Sequence, residues 1–394
     1  MIHELSSLLF LFLAIHVMRR CSSSFDIAAN YLTRGLGEGV KGPTINAVAS
    51  SLPELLISSL FLFYFKDITG FSAGYGTIIG SSAFNIALIP VISFLYIYYV
   101  KDRNKLFEIN KQIVKQDALF LLGSISILSL GFFFGVNLYF SLSLILFYFV
   151  YLFFVIKTRA AKKNNKISSL KKFIKDHEDK IAKNPLKNSR KIKRDKDGNI
   201  YVLDNGLRSA LLNFELFRIF FKGKVSDFTS TLVILISVFI IGASCYLLVL
   251  ATESISHYLG VNLFFGAFII AAIASSVPDT IFSVQDAKND KFIDSFSNAY
   301  GSNIFDICIG IGLPVLVYTS IYGPINMNMP IERIGWIGIG DSVLGGNLFM
   351  WSLLMLFFFT ILVSLVYYKR NITSKSAVVI FLLYLLFIIT LLIF

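Results

Sequence analysis

Two segments of this chain carry the same polar phrase at a depth where polar groups are costly. Ala49-Ser50-Ser51-Leu52-Pro53-Glu54 and Ala274-Ser275-Ser276-Val277-Pro278-Asp279 lie 225 residues apart, each inside an otherwise apolar stretch. A second echo follows each: Gly80-Ser81-Ser82-Ala83-Phe84-Asn85-Ile86 and Gly301-Ser302-Asn303-Ile304-Phe305-Asp306-Ile307. A carboxylate, hydroxyls and a helix-breaking proline within hydrocarbon need a compensating role. Their duplication points to an internally repeated membrane protein with a cation site where the copies meet.

With 56% hydrophobic residues and a mean hydropathy of +0.72, the chain is too apolar for an ordinary soluble domain. The net charge of +12 invites a nucleic-acid reading, but its distribution rejects that. Between Lys157 and Lys224 stand 20 Lys/Arg against 7 Asp/Glu, an excess of 13 that leaves the remaining chain at −1. That stretch reads as a cytoplasmic marker facing anionic lipid. Cys21, Cys245 and Cys308 lie in or beside apolar segments and imply no disulfide framework. The apolar start runs into Arg19-Arg20 rather than a small-residue cleavage site, so no cleavable signal is expected.

A helix needs about 20 apolar residues to cross hydrocarbon. That places ten spans, near 4–32, 42–65, 71–99, 116–134, 138–157, 229–257, 262–287, 294–320, 345–368 and 375–394. Basic residues crowd the third, fifth, seventh and ninth connections, including Lys101, Arg103, Lys288, Lys291, Lys369 and Arg370. All four connections fall on one side, which is cytoplasmic by the positive-inside rule and puts both termini outside. Five spans per half is an odd number, so the second half enters the membrane the other way up. The expected fold is an all-α, multi-pass membrane protein of ten transmembrane helices. Two inverted five-helix repeats, 1–157 and 229–394, flank a basic cytoplasmic loop, 158–228, with broken helices at a central ion site.

Within the loop, 167–181 reads as a basic, weakly amphipathic surface helix. Asp195-Lys196-Asp197-Gly198-Asn199 begins like a calcium loop, but the template's Gly and Glu positions hold Ile200 and Gly206. A turn into a short strand, 199–203, is expected instead.

Hard cations such as Ca2+ and Na+ take oxygen ligands. Glu54 stands four residues from Ser50 and Ser58 and three from Ser51; Asp279 relates likewise to Ser275, Ser283 and Ser276. On a helix those separations bring the oxygens to one face. Pro53 and Pro278 free carbonyls just upstream, where Ala47, Ala49, Ala272 and Ala274 are small enough to leave them accessible. The pairs Gly76/Gly80 and Ser297/Gly301 permit close helix contact, which brings Ser81, Asn85, Ser302 and Asp306 towards the two carboxylates. Acids sharing a dry pocket need a cation or protons among them, and mutually exclusive occupancy is the core of exchange. A lone proline kink or small-residue pair reads as packing; the two copies in register are what favour a site.

These residues resemble the two alpha repeats of the cation/calcium exchanger superfamily, whose signature reads roughly G-T-S-x-P-E followed by G-S-N-x-x-N/D-I. The second half, Ser275 through Asp306, looks most like the potassium-dependent sodium/calcium exchangers, where the later Asp is associated with K+ use. The resemblance implies Glu54 and Asp279 as central ligands. It gives flanking coordination to Ser50, Ser51, Ser81, Asn85, Ser275, Ser276, Ser302 and Asp306, and backbone ligation to Ala47 and Ala272. It further implies an antiporter, not an enzyme, exchanging Ca2+ for Na+, with K+ as a candidate co-substrate and no resident cofactor. The family's Gly-Thr-Ser is Ala-Ser-Ser in both copies here, and Ser82 stands where Asn is frequent. Both departures bear on ion selectivity.

A proton-coupled exchanger is the alternative. An intramembrane aspartyl protease is a remote one, resting on Gly338-Ile339-Gly340-Asp341 in an expected external loop with no obvious partner aspartate. A passive cation channel is another, though channels build their filters by symmetry between subunits. The sequon Asn371-Ile372-Thr373 falls on the expected cytoplasmic side, where a glycan would overturn the topology.

Overall fold

The computed structural model describes residues 2–34, 40, 42–101, 107, 109–159, 191–194, 200–203, 207–328, 330–332, 342–369 and 372–393. The readings at 167–181, 195–199, Gly338 to Asp341 and Asn371 fall outside the described residues. Among those described, nine helices are long and apolar enough to cross a membrane, and a bent pair adds a tenth. In chain order they are α1 (Ile2–Leu32), α2 (Gly42–Ser50 with Leu52–Phe65), α3 (Asp67–Val100), α4 (Lys111–Phe134) and α5 (Leu138–Arg159). The second half supplies α6 (Asp227–Leu259), α7 (Leu263–Lys288), α8 (Phe292–Tyr322), α9 (Gly345–Lys369) and α10 (Ser374–Ile393).

Helices are the expected answer, since hydrocarbon offers no partner for an open backbone N–H or C=O. Side chains set their ends. Asn110 accepts from the N–H groups of Gln112 and Ile113 and starts α4 five residues before its apolar stretch. Ser226 and Thr229 form a reciprocal capping box at the start of α6, and Gly260 ends that helix at φ +65°. Between α2 and α3 the chain reverses at Lys66 and Asp67, both at positive φ.

Short strands qualify the all-α expectation. Lys191–Arg194 (β1), Ile200–Leu203 (β2) and Lys224–Val225 (β3) form an antiparallel sheet, so the strand expected at 199–203 is found over its described residues, 200–203. Pro330–Glu332 (β4) pairs with Ser342–Leu344 (β5) between α8 and α9.

Large apolar side chains such as Phe12, Phe133, Phe239 and Phe358 point outward, as a lipid-facing surface requires. The middle of the molecule is built from α2, α3, α7 and α8, packed across the repeat boundary: α3 lies on α7, and α8 on the start of α2. Glycines set that approach. A methyl group at Gly80 would strike the backbone of Phe268 and the Cβ of Ala272; one at Gly301 would sit 2.6 Å from Pro43 Cα. Phe268 and Pro43 occupy the same place in their respective copies, so the two contacts are one contact made twice.

Antiparallel to each other, α1 and α6 run along one flank and are tied by Ser7–Ser254 at 2.6 Å and Cys21–Ser237. The pair touches the break in α2, where the Cys245 thiol reaches the Pro53 carbonyl.

Candidate functional site

Each repeated phrase sits just after a π-helical turn, Gly42–Asn46 in α2 and Ala267–Ala271 in α7. The two turns are in register by the same offset as the phrases, and such turns recur at functional sites because the extra residue re-aims the backbone. After Ser50 the axis of α2 bends by 44°, whereas α7 continues as one span to Lys288. Ser51 and Ser276 stand at the junctions, each followed two residues later by its proline.

Serines expected beside the carboxylate of their own helix pair instead with the other repeat. Ser50 Oγ lies 3.4 Å from Ser302 Oγ, and Ser81 Oγ lies 2.9 Å from Ser276 Oγ. Ser302 donates to Asp279 Oδ1 at 2.6 Å, and its repeat mate Ser81 donates to Glu54 Oε1 at 3.3 Å. Ser275 donates to the Ala272 carbonyl at 3.2 Å. Ser58 is turned away: it donates to the Gly310 carbonyl at 2.6 Å, a group that Pro314 strips of its helical donor. Ser283 likewise binds the Asn298 amide at 3.0 Å.

Glu54, Asp279 and Asp306 are fully buried, and one carboxylate oxygen from each lies within 4.8 Å of the others. Among the described residues no cationic side chain pairs with any of them. Asn85 and Asp306 are repeat mates with opposite chemistry. Asn85 donates to Asp279 Oδ2 at 3.1 Å, while neither oxygen of Asp306 makes a close hydrogen bond and only the Ser51 and Ser81 hydroxyls approach it more loosely. Glu54 Oε2, Ser51 Oγ, Ser82 Oγ and Asn85 Oδ1 are also without a close hydrogen bond. The pocket therefore holds more acceptors than donors, and an uncompensated charge at this depth costs several kcal/mol. Bound cations or protons are the available compensation.

The carbonyls of Ala47 and Ala272, expected as ligands, each keep their helical donor. Ala47 O accepts from Ser51 N at 3.0 Å, and Ala272 O from Ser276 N at 3.1 Å. Each also accepts from a serine hydroxyl, Ala47 O from Ser50 at 3.3 Å and Ala272 O from Ser275 at 3.2 Å, so a ligand there would take the place of that hydroxyl. The donors removed by Pro53 and Pro278 are those of Ala49 and Ala274, four residues upstream.

Other buried polar residues were not legible in the repeated phrase. Asn303 donates to the carbonyl of its own repeat mate Ser82 at 2.7 Å, which puts the pseudo-two-fold axis beside them. Arg159 pairs with Asp117 and reaches Ser297, tying α5 and α4 to α8. Asn46 donates to Asp286 Oδ2 at 2.7 Å, and Gly42 N donates to Asp294 Oδ1 at 3.1 Å. The signal for Asn46 and Asp286 was periodicity: each lies one further turn along the polar face that carries Ser50 and Ser283.

A family model described as sodium/calcium exchanger protein matches residues 6–157 and 229–393. Human sodium/potassium/calcium exchanger 2 is 36% identical over 77 residues, which cover 20% of this chain and 12% of that protein. Rat sodium/potassium/calcium exchanger 3 is 32% identical over 121 residues, 29% of this chain and 19% of that protein. The chain thus spans less than a fifth of the length of these curated relatives. Among solved structures, the H+/Ca2+ exchanger CAX superposes with a TM-score of 0.61 at 14% identity, covering 99% of this chain and 86% of that one. The sodium-calcium exchanger NCX_Mj gives a TM-score of 0.53 at 17% identity, with 98% of each chain covered. At such identities the likeness is one of fold.

Proposed function

The chain belongs to the sodium/calcium exchanger family, transporters rather than enzymes, and from that premise we propose that it is an antiporter moving Ca2+ against Na+ with K+ as co-substrate. The observation that carries this reading is the buried triad Glu54, Asp279 and Asp306, whose oxygens converge with no cationic partner. Glu54 and Asp279 are the central ligands. Ser50, Ser51, Ser81, Asn85, Ser275, Ser276 and Ser302 supply neutral oxygens around them, and Ala47 and Ala272 supply carbonyls. Asp306 adds the charge that its mate Asn85 lacks, which suits a second cation beside the first. The names of the curated relatives support K+.

Exchange follows from competition. Three carboxylates satisfied by Ca2+ and K+ are satisfied equally by several Na+, and the site is costly with neither set bound. The halves 1–157 and 229–394 enclose the site and expose it alternately to the two faces. The helices that move are α1 and α6, which lie along each other beside the breaks. In this reading the 158–228 stretch is cytoplasmic, against anionic lipid, and both termini are outside. If net charge crosses, each elementary charge is worth about 2.3 kcal/mol per 100 mV.

The test is Ca2+ uptake by the purified protein in proteoliposomes, with Na+, K+ and pH gradients imposed one at a time. Uptake should require Na+ on the opposite side and rise with K+. Uptake driven by a pH gradient alone would replace Na+ with H+ in the scheme, and uptake with no counter-ion would leave a channel.

A further inference from the structure

The central site is nearly symmetric, but the way out of it is not. From Asp279 a chain of polar contacts runs towards the end of the molecule where α7 finishes and α8 begins. Ser302 joins Asp279 at 2.6 Å, Ser50 joins Ser302 at 3.4 Å, and Ser50 donates to the Asn46 carbonyl at 2.7 Å. The Asn46 amide then reaches Asp286 at 2.7 Å. Asn46 and Asp286 come from opposite repeats and are 1% and 6% exposed. The Asn46 Oδ1 atom, on the same amide, is buried and has no hydrogen-bond partner.

The repeat offset gives the equivalent positions at the other end: Ala271 for Asn46 and Phe61 for Asp286. Both are fully buried in one apolar cluster with Ala73, Ala267 and Ile57. One end therefore offers a cation a carboxylate and an amide oxygen without a hydrogen-bond partner, where the equivalent positions at the other hold an alanine and a phenylalanine. Neither Asn46 nor Asp286 belongs to the repeated phrase, and an amide–carboxylate pair across a helix boundary is not needed for packing that Ala and Phe achieve elsewhere.

We infer that Asp286, held by Asn46, is a transfer group through which the divalent cation passes between the central cluster and the face bearing residues 158–228. The inference rests on the exchange reading. A fixed carboxylate on one route raises the local cation concentration there and shortens the step over which a stripped ion goes without an anionic partner. It gives the two faces different apparent affinities for the same central site.

The experiment uses the full chain in proteoliposomes, sorted by whether protease reaches the 158–228 stretch, with half-saturating Ca2+ measured from each face. Asp286→Asn should raise that value about tenfold on the face bearing the stretch and less than about twofold on the other, as expected for loss of one charge on one route. Asn46→Ala, which keeps the charge but removes the amide that holds it, should give a smaller shift on the same face. Asp286→Glu, which keeps the charge, should restore the wild-type value. An equal rise on both faces would mark a packing role and overturn the inference. So would faster turnover at unchanged half-saturation, which would make the pair a latch, or a rise in Asp286→Glu as large as in Asp286→Asn. Wild-type protein that carries no Ca2+ under any gradient would remove the exchange reading itself; flux with face-independent effects would remove only this inference.

Discussion

At one end of the helical core, Asn46 of α2 meets Asp286 of α7 at 2.7 Å; at the other, their repeat mates Ala271 and Phe61 are buried in an apolar cluster. Between those ends the copies agree closely. The π-helical turns, the serine junctions, the prolines and the Gly80/Phe268 and Gly301/Pro43 contacts all recur in register. The difference teaches where duplication constrains a transporter and where it does not. If the centre faces both ways in turn, as proposed, it needs matched halves. On the proposed reading the positions beyond the centre each serve one face and are free to diverge, and here Asn46 and Asp286 stand where the other copy has Ala271 and Phe61.

The strongest way to break the symmetry of the centre is to neutralise one carboxylate at a time. Glu54→Gln and Asp279→Asn should each lower Ca2+ flux on the order of a hundredfold or more, since each removes a charge from a fully desolvated cluster, a change worth roughly 3–5 kcal/mol. The two losses should be alike, measured as flux per reconstituted molecule. Unimpaired flux in Glu54→Gln would falsify the ligand assignment, and a large gap between the variants would show that the halves are not equivalent.

Next in size are the glycine contacts between repeats. Gly80→Ala and Gly301→Ala each press a methyl group against backbone that has no rotamer by which to yield. Each should cost about 1–3 kcal/mol in thermal unfolding of the detergent-solubilised protein, at the upper end of that range. Gly242→Ala is the control, because its nearest neighbour is the flexible end of Leu56 at 3.8 Å. A control as damaging as the other two would mean that α6 packs as tightly on α2 as the repeats pack on each other, which would argue against α6 as a moving element.

How much of this was legible in the sequence follows from the same division. Glu54, Asp279 and their prolines stand out because each was written twice, although of the two helices expected to break α2 bends by 44° and α7 runs on as one span; the ten apolar stretches match the nine long helices and one bent pair among the described residues. The Asn46–Asp286 step is absent from the repeated phrase, and each of its halves lies in a different copy, so only the tertiary fold brings them together. Ser58 and Ser283 illustrate the opposite error. Helical spacing put them on the carboxylate face, but the partner helix offered a nearer claim, and both hydroxyls are used for packing between helices. The pairing of Arg159 with Asp117 was hidden for another reason: both lie at span edges, where charged residues are ordinary.

The smallest effects expected come from prolines that free a carbonyl, one in each half. Pro90 lies inside α3 and removes the donor to the Ile86 carbonyl, which accepts instead from Tyr367 Oη of α9 at 3.0 Å. Pro314 in α8 does the same to Gly310, whose carbonyl accepts from Ser58 at 2.6 Å. Different side chains from different helices thus solve the same problem, so the solution was found separately in each half rather than inherited with the duplication. Tyr367→Phe and Ser58→Ala each delete one hydroxyl and leave a buried carbonyl without its donor. The cost should be about 0.5–1.5 kcal/mol in each case, since hydrogen bonds between membrane helices are modest and relaxation recovers part of the loss. Ca2+ flux should stay near wild type in both variants, because neither hydroxyl faces the carboxylates. If Ser58→Ala instead lowered Ca2+ affinity as a ligand serine would, Ser58 would belong to the ion site in some other conformation, and the separation between packing and binding hydroxyls in α2 would not hold.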